Sequence, residues 1–286
     1  MSGGFGRGRW FLPTALVFGL IFLYGPIASL VVYSFNESKL VTVWSGFSVK
    51  WYGALAHNDQ ILDAAWLSLQ VAVASATGAL VIGTIAGYVL SRFTKFRGRT
   101  LFAGMVTAPL VMPEIITGIS MLLMFVGLEQ AIGWPAGRGV LTIIMAHITF
   151  TLSFVAVIVQ SRLAGMDISV EEAAMDLGAR PIQVFFLITL PLMAPALVAG
   201  WLLAFSLSLD DLVITAFVSG PGSTTLPLVI FSKVRLGLSP EINALATATC
   251  NDSQAASRIW SLWASSPYHL TEKPDQTVTN LDSLKE

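Results

Sequence analysis

The sequence is poor in charge. Aspartate, glutamate, lysine and arginine make up 12% of its 286 residues, about half of the roughly 25% found in soluble domains. So few ionic groups cannot build a water-facing shell, which excludes an ordinary cytosolic enzyme and a disordered chain alike. Cysteine is nearly absent: Cys250 stands alone, so there is no disulfide framework. The three histidines are scattered and lack the spacing of metal ligands. A formal net charge of −1 provides no basic footprint for nucleic acid. No Gly-x-x-x-x-Gly-Lys-Ser/Thr loop is present, so any ATP chemistry would belong to another subunit. Neither a cofactor nor a metal is expected.

What remains is apolar. Residues of the set AVILMFWYC account for 55% of the chain, and the mean hydropathy is +0.74. Five segments reach the roughly 20 apolar residues needed to cross about 30 Å of hydrocarbon: 11–35, 64–90, 101–128, 140–160 and 184–218. The expected fold is therefore an all-α, polytopic membrane helix bundle lying in a lipid bilayer. The first segment is too long for a signal-peptide core and has no clear cleavage site, so it reads as an uncleaved span. The second is rich in Ala, Gly, Ser and Thr, which let helices approach closely in lipid.

Lys and Arg collect in cytoplasmic loops. Arg7, Arg9, Arg92, Lys95, Arg97, Arg99, Arg162 and Arg180 fall on one side of these spans, eight against the five of Lys39, Lys50, Arg138, Lys233 and Arg235. That places the amino terminus (1–10) and the loop 162–183 in the cytoplasm. The segment from Ser169 to Pro181 within this loop reads as a short exposed helix. Ser169 and Glu172 have the spacing of a capping box, Gly178 stops the helix, and Pro181 delays its resumption. Ala173, Ala174 and Leu177 give it a small apolar face, suited either to a groove on a partner or to a plain connector.

Glu172-Ala173-Ala174, Gly178 and Ile188-x-Leu190-Pro191 resemble the EAA signature of ATP-binding-cassette importer permeases, at both spacings. The resemblance implies that Glu171, Glu172, Ala173, Ala174, Asp176 and Gly178 form the coupling element that meets an ABC ATPase subunit. A narrower resemblance rests on strings in order along the chain: 33–36, Ala108–Glu114, Ser208–Leu212, Ser219–Gly222, Thr225–Pro227 and Pro240–Ala244. These are similar to the second permease subunit of spermidine/putrescine importers, the putrescine type above all. The resemblance implies a multi-pass protein of the bacterial inner membrane, non-catalytic and working by alternating access. Its implied partners are a dimer of ATPase subunits, a second permease subunit in a heterodimer and a periplasmic polyamine-binding protein.

Three carboxylates fall within apolar segments, where burial is costly and usually reflects a pathway or a partner. Glu114 follows Pro113 and Pro109, whose missing donors would open the helix there. Asp210 and Asp211 differ by about 100° around a helix, so one can line a path while the other caps or pairs. Carboxylates, hydroxyls and free carbonyls would suit a chain with ammonium ends; pairing or capping is the structural alternative. His147, alone in the fourth segment, reads as a packing or hydrogen-bonding residue. The aromatic stretch 44–52 reads as an interfacial belt or as a surface for a binding protein.

Two other classes compete with the importer permease. An ion-coupled secondary carrier would use the same carboxylates, but the halves show no inverted repeat. A damaged, non-transporting permease is the other, and the tail is its evidence. Residues 246–286 hold 15 apolar residues of 41 and 8 of the 33 charges. Permeases of this type continue into a sixth span near this point, whereas here the polar run after Thr247 cannot be buried cheaply. The permease domain is thus read as 11–247, followed by an atypical polar tail, 248–286, attributed to a shifted or replaced reading frame.

Overall fold

A computed structural model describes residues 8–38, 43–93, 95–236 and 240–248; the tail from 249 onward and residues 1–7 lie outside them. The described residues are helical throughout their main elements, and five helical stretches are long and apolar enough to cross a membrane. The chain divides into two compact units, His57–Gly237 and Met1–Ala56 with Leu238–Glu286.

In the smaller unit, α1 (Gly8–Ser34) carries Pro13 and Pro26 inside it, and none of its most apolar window is buried. A helix apolar on every side is suited to lipid or to another membrane subunit. The chain then folds back on itself around Asn36. Its side chain donates to the Val43 carbonyl at 2.7 Å and accepts from the Ser45 amide at 3.1 Å, while Trp51 Nε1 donates to the Asn36 carbonyl at 2.7 Å. Phe35 stacks on Phe47, and α2 (Lys50–Ala56) follows. The aromatic stretch is thus a hydrogen-bonded fold-back in which Phe47 nevertheless stays 72% exposed. Residues 240–248 are helical.

The larger unit is organised by α3 (Asp59–Arg92). Asn58 caps it by accepting from the Ile61 amide, and Asp59 suits the positive end of the helix. It packs along α6 (Val140–Ala164), and the two approach closely because Gly83 and Gly87 face α6. A Cβ at Gly83 would lie 2.8 Å from the Leu152 carbonyl oxygen, and one at Gly87 2.7 Å from that of Ala156. Small residues one turn apart are the usual means of close helix approach in lipid. Ala76 and Ala79 continue the contact into a cluster with Val155, Val159, Leu163, Met193 and Ala204.

The third apolar segment is two helices rather than one. α4 (Arg99–Val111) ends at Met112 in an extended conformation, and α5 (Glu114–Ile132) starts behind Pro113, which has no amide to continue the helix. Val106 of α4 packs with Ala86 and Leu90, whereas Met121 and Phe125 of α5 pack with Val71. The pair therefore runs antiparallel to α3, with its break alongside the middle of that helix.

The fifth segment is also divided, though not where its prolines fall. After α7 (Ser169–Asp176) and α8 (Pro181–Val184) comes a π-helical turn, Phe185–Thr189, in which the Leu190 amide reaches back five residues to Phe185. The wider turn makes room just before Pro191, and α9 (Leu190–Leu209) passes Pro195 without a break. The interruption comes at Asp210–Leu212, before α10 (Val213–Val218). α11 (Leu226–Leu236) follows, its first amide donating to Ser68 Oγ of α3 at 2.7 Å.

Candidate functional site

Two places gather the residues expected to matter. The first is α7. Its amphipathic eight residues begin at Ser169, but the capping box does not form: no side chain caps the helix. Asp167 accepts the Ser169 amide instead, at 3.0 Å, and that hydrogen bond holds its carboxyl below the usual range. Gly178 ends the helix with φ +91°, a conformation costly for any residue with a Cβ.

Glu172, Ala173, Asp176 and Gly178 are exposed and Ala174 is half-buried. Leu177 is 90% exposed, an isolated apolar side chain held out in the open. Glu171 differs from its expected companions. It points into the bundle, where Oε1 lies 2.8 Å from Arg92 Nη2 and accepts from Thr189 Oγ1 at 3.1 Å. In this chain its carboxylate is already engaged and does not face outward with Glu172. Arg92, read from the sequence only as a loop cation, is thus a site residue; it lies 79 residues from its partner, and no local pattern marks it.

The second place is where the two broken helices meet. Gly118 of α5 packs against Ile214 and Phe217 of α10 with no room for a Cβ, so the segments led by Glu114 and by Asp210-Asp211 are neighbours. Glu114 is exposed at the first position of α5. An open, largely apolar cleft of about 310 Å³ lies over the α4–α5 break, lined by Met105, Met112, Met121 and Met124 together with Thr117 and Ser120.

The two aspartates take different roles. Asp210 ends α9 and is exposed. Asp211 turns inward and starts α10: Oδ1 accepts the Ile214 amide at 3.3 Å, and Oδ2 accepts the Thr215 amide and hydroxyl at 2.8 Å each. His147 of α6 completes the cluster. Its Nε2 lies 3.2 Å from Asp211 Oδ2 and 2.9 Å from Thr215 Oγ1, and its Nδ1 lies 2.6 Å from Ser208 Oγ. Ser208 in turn meets Ser75 Oγ at 2.8 Å, near the midpoint of α3. The hydrogen-bonding role read for His147 is realised, and on a larger scale than one bond: from α6 its ring meets α9 and the start of α10 directly, and α3 through Ser208. Among the described residues, no group of three His, Cys, Asp or Glu side chains lies close enough to hold a metal.

A helix bundle with two helices broken beside α3, plus a short amphipathic helix bearing the EAA residues between two spans, defines the membrane subunit of an importer. The chain belongs to the family of binding-protein-dependent transport system inner membrane components, whose profile matches residues 79–248. It is 62% identical over 232 residues to the putrescine transport system permease protein PotI of Escherichia coli strain K12, across 81% of this chain and 83% of that one. It is 46% identical over 226 residues to the spermidine/putrescine transport system permease protein PotC of the same strain, across 79% and 83% of the two chains. In fold it is similar to a chain of a bacterial ABC transporter that imports alginate, with a TM-score of 0.67 at 16% identity over 91% of this chain and 99% of that one. The protein is therefore a multi-pass inner-membrane permease component with the ABC importer fold, and it is not the catalytic subunit of its system.

Proposed function

We propose that this chain is a translocating subunit of an ATP-driven importer for putrescine. The observation that carries the reading is the 62% identity to a putrescine permease, against 46% to a spermidine/putrescine permease. In this reading the chain pairs with a second permease subunit, receives substrate from a periplasmic polyamine-binding protein and is driven by a dimer of ATPase subunits. The amino terminus and α7 face the cytoplasm, in keeping with the excess of Lys and Arg on that side.

The two helix breaks supply the pathway chemistry. Glu114 and Asp210 are exposed carboxylates, one at each helix break, and the methionine-lined cleft lies over the first of these breaks. A diamine has charged ends, which carboxylates attract, and a methylene middle, which thioether-lined surface accepts. Asp211 supports the pathway by holding the start of α10 while Asp210 stays available. Glu172, Ala173, Ala174, Asp176 and Gly178 form the surface that meets the ATPase, with Glu171 supporting it from behind.

Reconstitution in proteoliposomes tests the proposal. With all partner subunits and the binding protein present, labelled putrescine accumulates in an ATP-dependent manner and spermidine competes weakly. Uptake that needs no ATPase subunit, or no putrescine uptake by an assembled and ATP-hydrolysing complex, rejects it.

A further inference from the structure

One ion pair ties together four parts of the bundle. Arg92 closes α3, and its Nη2 binds Glu171 of α7 at 2.8 Å while Nη1 reaches the Leu163 carbonyl of α6 at 3.4 Å. Thr189, the last residue of the π-helical turn, donates to the same Glu171 oxygen. The Arg92 and Glu171 side chains are only 13% and 8% exposed. One turn earlier on α3, the Tyr88 ring packs edge-on against Phe185, which opens the π-helical turn, at a centroid distance of 4.9 Å.

α7 is otherwise joined to the spans by short loops that contain Gly165 and Gly178, and Gly178 adopts a positive φ. Such loops can flex. A buried ion pair is weak evidence for stability, because well-packed apolar residues would serve as well. What the pair adds is direction: a charged group held from several sides can move only with its partners. π-helical turns also occur often where helices must adjust.

We propose that Arg92 and Glu171, with Thr189, form the rigid link that converts a displacement of α7 into movement of α3 and of the π-helical start of α9. The link rests on the reading of α7 as the helix that docks the ATPase. Arg92 and Glu171 are positioning residues in this scheme; neither touches substrate.

The test uses the complete complex, with Cys250→Ser in this chain and spin labels at Val170 and Phe93, both exposed positions. In the otherwise unaltered chain, the distance between the labels stays the same in the resting and ATP–vanadate states, because α7 and the end of α3 move together. Glu171→Gln makes that distance shift or broaden on trapping, and putrescine uptake per ATP hydrolysed falls about tenfold while hydrolysis persists. Thr189→Val removes only the second contact to the same oxygen. It gives the same effects more weakly and decides the matter should Glu171→Gln not assemble.

A label distance that changes on trapping in the unaltered chain overturns the link. So does a Glu171→Gln or Thr189→Val complex that matches it in both distance and uptake per ATP. Leu177→Glu separates the two readings. If it leaves the ATPase bound and uptake normal, α7 is not the docking helix. If it releases the ATPase while the link variants behave normally, only the link fails.

Discussion

His147 and Asp211 meet inside the helix bundle, Nε2 to Oδ2 at 3.2 Å, with side chains 1% and 5% exposed. Because Asp211 Oδ2 also accepts both donors of Thr215, this carboxylate has its hydrogen-bonding capacity committed to the protein. Asp210, one residue earlier, has an exposed position at the end of α9. Neighbouring acids that look alike in sequence are thus separated by the turn between α9 and α10 into a fastener and a free charge.

The two aspartates should respond differently to neutralisation. Asp211→Asn places an amide N–H₂ among groups that are already donors, leaving buried donors unmet at a cost of about 1–3 kcal/mol. Its expected result is a lower melting temperature and a lower yield of assembled complex, and His147→Ala should share the defect. Asp210→Asn should leave melting unchanged and lower putrescine uptake by about tenfold or more, the equivalent of one charge-assisted hydrogen bond. Melting curves and initial uptake rates on the purified complex read both outcomes. Equal effects of the two substitutions would contradict the division of roles.

The contact of α3 with α6 depends on having no side chain at two points. Gly83→Ala and Gly87→Ala would place a Cβ within 2.9 Å of backbone oxygen and valine carbons of α6. The helices must separate, at an expected cost of about 1–3 kcal/mol each. Gly104→Ala and Gly127→Ala meet nothing within 4 Å and should be neutral or slightly stabilising, because alanine is the better helix former. Thermal unfolding in detergent distinguishes the two pairs.

The spans, the short helix 169–176 and its EAA residues were legible because each is a local pattern: apolar runs of sufficient length, a glycine stop, a fixed motif. The positions of the breaks were less so. Pro113 does end a helix and the fifth segment does break at the aspartate pair, whereas Pro191 follows a π-helical turn and Pro195 sits inside α9 without breaking it. Asp211 could be read as either pathway or cap, because the choice depends on which way one turn faces. Arg92 with Glu171, and His147 with Ser208, Ser75 and Asp211, join distant stretches of sequence. Their types gave a hint, since buried polar groups seek partners, but only the packing of α3, α6 and α9 selects which partner is met.

Asn36 holds the fold-back after α1 by accepting the Ser38 and Ser45 amides and donating to the Val43 carbonyl. Asn36→Ala removes the hydrogen-bond partner of these half-exposed backbone groups and should cost about 1 kcal/mol locally. Hydrogen exchange should show faster exchange at Ser38 and Ser45, with protection in α3 and α6 unchanged. Slower or unaltered exchange at these two amides would show that other contacts carry the fold-back.

Leu177 is the sharpest test of the surface presented by α7. A leucine 90% exposed contributes nothing to the packing of its own chain, so Leu177→Glu should change stability by no more than about 0.5 kcal/mol. If the side chain is buried in a groove of the ATPase, losing it forfeits about 1.5–3 kcal/mol of apolar burial, and the new charge must also be desolvated. Co-purification of the ATPase should then fall by more than tenfold, with uptake lost in proportion. Glu172→Lys should weaken the same contact, and Gly178→Ala should do so indirectly by straining the φ of +91° that ends the helix. A variant with Leu177→Glu that melts normally yet no longer retains the ATPase assigns this face to docking; one that retains it places the contact elsewhere.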